Sequence, residues 1–340
     1  MVSDNIKIRS DKMEKYELWQ QLYTYVDEWV QLKPWEALWS EDYVALKIGD
    51  QTYYCTIMGK LGDCIGLSIY EGEEGYADLC SVSHEYMDLS VTQYVMFDQN
   101  CLTFYMGNRE EVPKGQKDII KKLGLKYRGK GQWPYFLSFA PRFYPYEIND
   151  QQAKIFVQVF QHLIPLMKAY MNHEVNVDFD NGEILYAYED HGWKYEAMQR
   201  LEDIDKFYAV ELEDQEYLHY LKQLPLSQNQ YIIDMTYLTG GFVDEGYDRP
   251  VSSLVILILD VASQQIIKAN ILRPEDDEIS ECIKMFCEIM EDYGKPTDIF
   301  IRNPRVYSSL VSICDECQID VHVASLPMMD DIIDDMNNMM

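Results

Sequence analysis

Two stretches decide how the chain is read: QYIIDMTYL at residues 230–238 and SSLVILILDVASQQIIKANIL at residues 252–272, each with an aspartate in an apolar run. An isolated carboxylate buried in a strand costs too much free energy to stand alone, so Asp234 needs a hydrogen-bonding partner or a ligand. Residues 231–238, 254–259 and 265–272 have the apolar, β-branched composition of strands, and the tight turn DVAS joins the last two. Asp260 falls at that strand-to-turn junction, where aspartate commonly bonds its own backbone, and reads as structural. A helix follows, with Ile279, Cys282, Ile283, Phe286 and Ile289 on its inner face. Beyond it come a strand in TDIFIRN, a second helix and a last strand in IDVHVA.

Working outward toward the N-terminus, the pattern changes. Trp19, Leu22, Tyr23, Val26, Trp29 and Val30 recur at helical spacing until Pro34 stops them. DYVALKIG, TYYCTIMG and DCIGLSIYEG, punctuated by glycine, read as an antiparallel meander. A further strand, CLTFYMGN, precedes a short helix through PKGQKDIIKKLG. GKGQWPYFLSFAPRFYPYEIND is expected to be an ordered loop, given its glycines, prolines and rings. A helix then begins at Asn149 or Asp150, with Phe156, Phe160, Leu163, Met167 and Tyr170 on one face and Pro165 expected to kink it. The fold class is α+β throughout. Residues 1–175 are predicted to form an antiparallel meander with helices, and residues 226–340 a mixed-sheet α/β domain. Residues 176–225, a hairpin around FDNGEILYAYEDHGWKY and a short helix, connect the two and are assigned to neither. The Asp/Met-rich end MMDDIIDDMNNMM is expected to be partly frayed.

Three antiparallel strands followed by alternating helix and strand is the order of the ribonuclease-H-like fold. The succession YIIDMTYL, LVILILDVASQQIIKANIL, GKPTDIFIRN and CDECQIDVHV resembles the catalytic core of DDE transposases over the last third of the chain. The resemblance implies three acids: one in the first strand, one ending the fourth and one from the last helix. Together they would hold two divalent metals, one activating water and the other stabilising the leaving oxygen. Asp234 falls at the first position. The second matches Asn303, a neutral donor unable to bridge two metals, and the third falls among Asp330, Asp331, Asp334 and Asp335, with Asp331 taken as the candidate. Asp298 differs from 303 by an odd number and so points to the opposite face, a poor substitute. Asn303–Pro304 also has the form of a helix N-cap followed by proline at the first helical position. Asp234, Asn303 and Asp331 therefore make at most a residual ligand site, with no complete metal site and no catalytic residue expected.

The order KPWEALW, VALKIG, YYCTIMGKLGDCIGLSIYEGEEGY and LGLKYRGKGQWPYFLSFAPRFYP resembles a domain of unknown function in bacterial, largely Gram-positive, proteins. RPVSSLVILILDVASQQI through KPTDIFIRNPRVYSSLVSICDECQIDVHVASLP resembles the domain that commonly follows it. That resemblance implies a two-domain bacterial protein and brings no activity or cofactor with it.

Composition narrows the function classes. With 29 basic and 58 acidic residues among 340, the formal charge is −29, a field that repels phosphate backbones and disfavours nucleic acid as partner. No apolar signal region opens the chain and the longest apolar run is too short to cross a bilayer, so no membrane association is expected. Cysteines set within apolar patterns suit a reducing, cytoplasmic location. Cys314 and Cys317 form a C-x-x-C, but Val306, Leu310, Ile313 and Cys317 share a helical face, which makes Cys317 core. No histidine pair at zinc spacing, phosphate loop or nucleophile elbow occurs, so no cofactor is expected. One stretch has the composition of a contact loop: Trp133, Phe136, Arg142 and Tyr144 are residue types enriched at binding hot spots, held between prolines and near Lys126, Arg128 and Lys130, while the competing reading has these rings close the N-terminal core beneath a long loop. The expectation is a non-catalytic binding or regulatory protein whose partner is another protein. A metal-dependent nuclease or phosphoesterase with a degenerate site, and an acidic mimic of nucleic acid, are the alternatives.

Overall fold

The computed structural model describes residues 2–84, 86 and 88–339. In chain order the elements begin with α1 (Val2–Leu32), β1 (Val44–Ile48), β2 (Gln51–Met58), β3 (Gly66–Glu71), α2 (Gly72–Ser83) and α3 (Leu89–Phe97). Next come β4 (Cys101–Gly107), α4 (Lys114–Lys122), β5 (Trp133–Ala140), β6 (Phe143–Glu147), α5 (Asp150–Met171), β7 (Glu183–Glu189) and β8 (Trp193–Gln199). The chain continues through α6 (Gln215–Gln223), β9 (Gln230–Phe242), β10 (Val251–Asp260), β11 (Gln265–Leu272) and α7 (Glu278–Tyr293). It ends with β12 (Asp298–Ile301), α8 (Pro304–Cys317), β13 (Asp320–Val323) and α9 (Pro327–Met339). These elements gather into two compact units, the first formed by residues up to Ser83, Asn100–Phe139 and Pro145–Ile204, the second by His84–Gln99, Ala140–Tyr144 and the chain from Asp205 onward.

In the first unit the meander is present: β1 to β5 pair antiparallel in sequence, β7 joins β1 in parallel and β8 closes the hairpin on β7. The hairpin left unassigned by sequence is thus part of this sheet. Trp19, Tyr23, Val26 and Trp29 of α1 fall at the spacing that buries one helical face, and they pack with Phe156, Phe160, Leu163 and Met167 of α5. The side chain of Asn149 caps α5, accepting from the backbone N–H of Gln151 and Gln152, while Gln152 returns a bond to the Asn149 N–H. Tyr43, Tyr54, Tyr70 and Tyr76 make a separate ring-rich cluster.

The stretch expected as a loop is two strands instead. β5 pairs with β4 from Trp133↔Gly107 to Phe139↔Cys101. Proline costs a strand one ladder bond, and Pro134 stands only one residue inside β5, where burial of Phe136 outweighs that loss. The Asp/Met-rich end is also ordered: Met329 and Ile333 of α9 are buried in a core cluster, so the segment is a packed helix rather than a frayed tail.

The second unit has the sheet order β11-β10-β9-β12-β13, with β9, β10 and β11 mutually antiparallel and β12 and β13 parallel to β9. That is the ribonuclease-H-like arrangement. Alternation along the strands sends Ile232, Leu238, Val255, Leu257 and Leu259 to a core shared with Leu326, Met329 and Ile333. α3 and α9 pack along β9, and α8 packs on both β9 and α7. Phe143 meets β10 at Val251.

Candidate functional site

Asp234 lies in the middle of β9 between β10 and β12, 2% exposed, so it is a central-strand carboxylate rather than one at a sheet edge. Its partner is Arg302. The parallel register that sets Ile301 beside Ile233 carries the next residue alongside Asp234, and alternation turns both side chains to the same face. The guanidinium donates from Nε at 2.9 Å and Nη2 at 2.8 Å to Asp234 Oδ2. Its Nη1 donates to Asp330 Oδ1 at 2.5 Å and lies 3.4 Å from both oxygens of Asp88. Asp88 is the N-cap of α3, accepting from Ser90 N–H, and the Ser90 hydroxyl donates to Asp330 Oδ1 at 3.2 Å. One always-charged guanidinium is therefore shared among three carboxylates drawn from β9, the start of α3 and α9. Burial pushes the Asp234 carboxyl up, to about 6, against the pull of Arg302.

The other acid expected at this site does not reach it. Asp331 is exposed, and its neighbour Asp330 takes the place, because the helical turn that buries Met329 and Ile333 aims residue 330 at Arg302. Asn303 turns away from Asp234. Its Oδ1 accepts from the backbone N–H of Arg305 and Val306, and its Nδ2 donates to the Met235 carbonyl at 2.6 Å. The residue is a helix cap pinned to β9, with proline following as the first helical residue. Asp298 accepts from Gln230 at 2.8 Å and pairs with His322 at 2.8 Å; bonds from Thr297, Gln230 and His322 hold its carboxyl down at about 2.

The proposed contact loop separates likewise. Phe136 is fully buried among Trp19, Tyr23, Phe104 and Phe156, so its ring is core, not surface. Trp133 is half-buried under Tyr127 and Arg109, whereas Tyr144 is 40% exposed. Arg142 is buried within the second unit and belongs to another ionic layer. Its Nη2 donates to Glu278 Oε2 at 2.7 Å and to the Asp276 carbonyl, while Arg305 approaches Glu278 Oε1 at 3.5 Å. Lys206 pairs with Asp98 at 3.0 Å, and Tyr237 hydroxyl reaches the same carboxylate at 3.4 Å. Burial raises the Asp98 carboxyl while Lys206 opposes the shift. Sequence reasoning missed Arg302, Asp88, Glu278 and Asp98. For Arg302 a signal existed in the strand register; Asp88 and Asp98 gave none, because their partners lie more than a hundred residues away.

A two-metal centre implied by the fold does not fit these residues. Its second position is an asparagine whose Oδ1, the only atom able to ligate a metal, is already taken by two backbone N–H groups, and the Arg302 guanidinium lies between the acids. Among the described residues no group of three metal-ligating side chains converges. What the arrangement can do is hold β9, β12, α3 and α9 in one register, since a buried charge must keep every partner.

A domain of unknown function, DUF7309, matches residues 19–187, and a second, DUF6930, matches residues 217–337. No curated protein matches the chain. Among solved structures, the simian T-cell lymphotropic virus intasome in complex with a PP2A regulatory subunit is 16% identical over 32% of this chain, with a TM-score of 0.24, and this chain covers only 39% of that one. The Mos1 strand transfer complex is 10% identical over 53% of this chain and 69% of that chain, with a TM-score of 0.21. A pre-cleavage Mos1 transpososome is 9% identical over 67% and 81%, with a TM-score of 0.19. Among the described residues no helix is long and apolar enough to cross a membrane.

Proposed function

We propose that this chain, carrying the two domains of unknown function in tandem, is a non-catalytic binding or regulatory protein whose partner is another protein. The observation that supports this reading is Arg302, seated among Asp234, Asp88 and Asp330 where an active ribonuclease-H-like enzyme would need its acids free for cations. A guanidinium there supplies the positive charge that metals otherwise bring, and it cannot exchange. The formal charge of −29 turns the preference away from nucleic acid and toward proteins. A cytoplasmic location agrees with the cysteines, which are thiols rather than disulfides, most of them buried.

The test is calorimetric titration of Mn²⁺ into the wild-type chain and Asp234→Asn, with nuclease assays on DNA and RNA alongside. We expect no heat that depends on Asp234 and no cleavage. Stoichiometric Mn²⁺ binding abolished by Asp234→Asn, together with cleavage, would overturn the reading in favour of a metal-dependent nuclease.

A further inference from the structure

β11 is bonded to β10 on one side and to no strand on the other among the described residues. Such an edge offers a row of unpaired N–H and C=O groups, and proteins guard it with lysine, proline or a bulge. The guard here is weak. Residues 265–272 contain no proline, and Lys268, the only cation of the strand, is tied to Glu288. The pairing with β10 is irregular only near Ile266, leaving a regular register from Lys268 to Leu272.

One face of this edge is also uncovered. Ile266, Ala269 and Ile271 lie opposite Leu259, Leu257 and Val255, which are buried with Leu326 and with Met329 and Ile333 of α9. Their β11 neighbours escape that cover: Ile266 is 43% exposed and Ile271 57%. At the far end of the strip Phe242, Val251, Tyr247 and Ile271 line a cleft of about 700 Å³, with Asp244 and Glu275 against Arg273 on its polar side. The charge around the strip is acidic, from Glu275 and Asp276 beyond the strand to the exposed Asp331, Asp334 and Asp335 of α9. A second copy of the chain would bring the same acids to the same edge; a basic segment complements them.

We propose that β11 is a docking strand, on which an extended segment of another protein, bearing lysine or arginine between apolar residues, adds to the sheet. The inference rests on the reading of this chain as a protein-binding module and names the chemistry of the partner. Backbone pairing along the edge gives affinity, and alternate apolar side chains continue the Ile266–Ile271 strip.

The experiment uses the full chain and a fluorescein-labelled peptide of alternating lysine and valine, about ten residues long, with a glutamate–valine counterpart. Anisotropy reports binding, and hydrogen exchange reports protection of residues 265–272. Only the lysine peptide is expected to bind, slowing exchange in β11, and Ile266→Asp or Ile271→Asp should weaken it by about tenfold. Both sites are exposed, so folding tolerates the change. The added negative charge makes the variants decisive: unchanged or tighter binding would mean charge attraction alone and would overturn the proposal. So would equal binding of the glutamate peptide, or concentration-dependent dimers lost in Ile271→Asp. Failure here with the Mn²⁺ titration silent removes the docking strand alone; Asp234-dependent Mn²⁺ binding with cleavage removes the non-catalytic reading whatever the peptide does.

Discussion

Phe136 in the first unit and Arg302 in the second are both almost wholly buried, and they stabilise their surroundings by opposite routes. Phe136 meets Trp19, Tyr23, Phe104 and Phe156 with ring centroids 4.9–6.1 Å apart, contacts that need no particular protonation state. Arg302 is worth something only while Asp234, Asp88 and Asp330 are present and charged. An apolar core tolerates loss of one member as a cavity; an ionic core turns the surviving partner into a liability. The second unit has accepted that dependence at Arg302, at the Arg142–Glu278 pair and at the Lys206–Asp98 pair.

The largest test of this contrast is Arg302→Ala, which should destabilise the chain by about 3–5 kcal/mol in urea unfolding, because Asp234 stays buried without its cation. The sign of its pH dependence follows from Asp234. A folded carboxyl raised to about 6 binds more protons than the unfolded one, so its contribution to stability is full below the unfolded value and is lost as pH rises toward 6. Removing the cation exaggerates this, so the deficit of Arg302→Ala should be greatest above pH 6 and shrink on acidification toward about pH 4. Asp234→Leu combined with Arg302→Met should recover most of the loss, since an apolar pair replaces an ionic one. A double variant no more stable than Arg302→Ala would break the comparison.

Phe136→Ala should cost a similar ~3–5 kcal/mol, yet with a deficit flat between pH 4 and pH 7 and no rescue by a second substitution. A strongly pH-dependent deficit would show that ions stabilise the first unit too. The smallest effect belongs to Asp298, whose carboxyl is depressed to about 2 by hydrogen bonds. A depressed acid stabilises above its unfolded value and loses that contribution as pH falls through the folded one. Asp298→Asn should therefore be slightly less stable than wild type at neutral pH and indistinguishable from it near pH 2, as followed by circular dichroism.

The contrast also explains what the sequence made legible. Trp19, Tyr23, Val26 and Trp29 announce their buried face by spacing alone, and the alternating runs 231–238 and 254–259 announce strands, because hydropathy is a local signal. Asn303–Pro304 was readable as a cap for the same reason: cap chemistry lies within three residues. Asp234 was legible as a carboxylate needing a partner, but the partner was not, since charge pairing follows register between strands far apart in sequence. The stretch 133–147 misled through its prolines, whose local preference the long-range pairing of β5 with β4 overrode. Asp331 failed against Asp330 by one residue, about a hundred degrees of helix rotation, which only the packing of α9 decides.

The second unit borrows residues 84–99 and 140–144 from chain that precedes its main body, and Asp88 stands 214 positions ahead of the arginine it contacts. On a ribosome adding about 5–20 residues per second, α3 leaves the exit tunnel on the order of 10–40 s before Arg302 exists. Until residues 230–242 have been added, Tyr94 and Val95, both destined for burial, have no β9 to rest on. A nascent chain so arranged has a waiting client in its own middle, and a chaperone that covers residues 89–97 during synthesis would set the yield of native protein without touching either finished core.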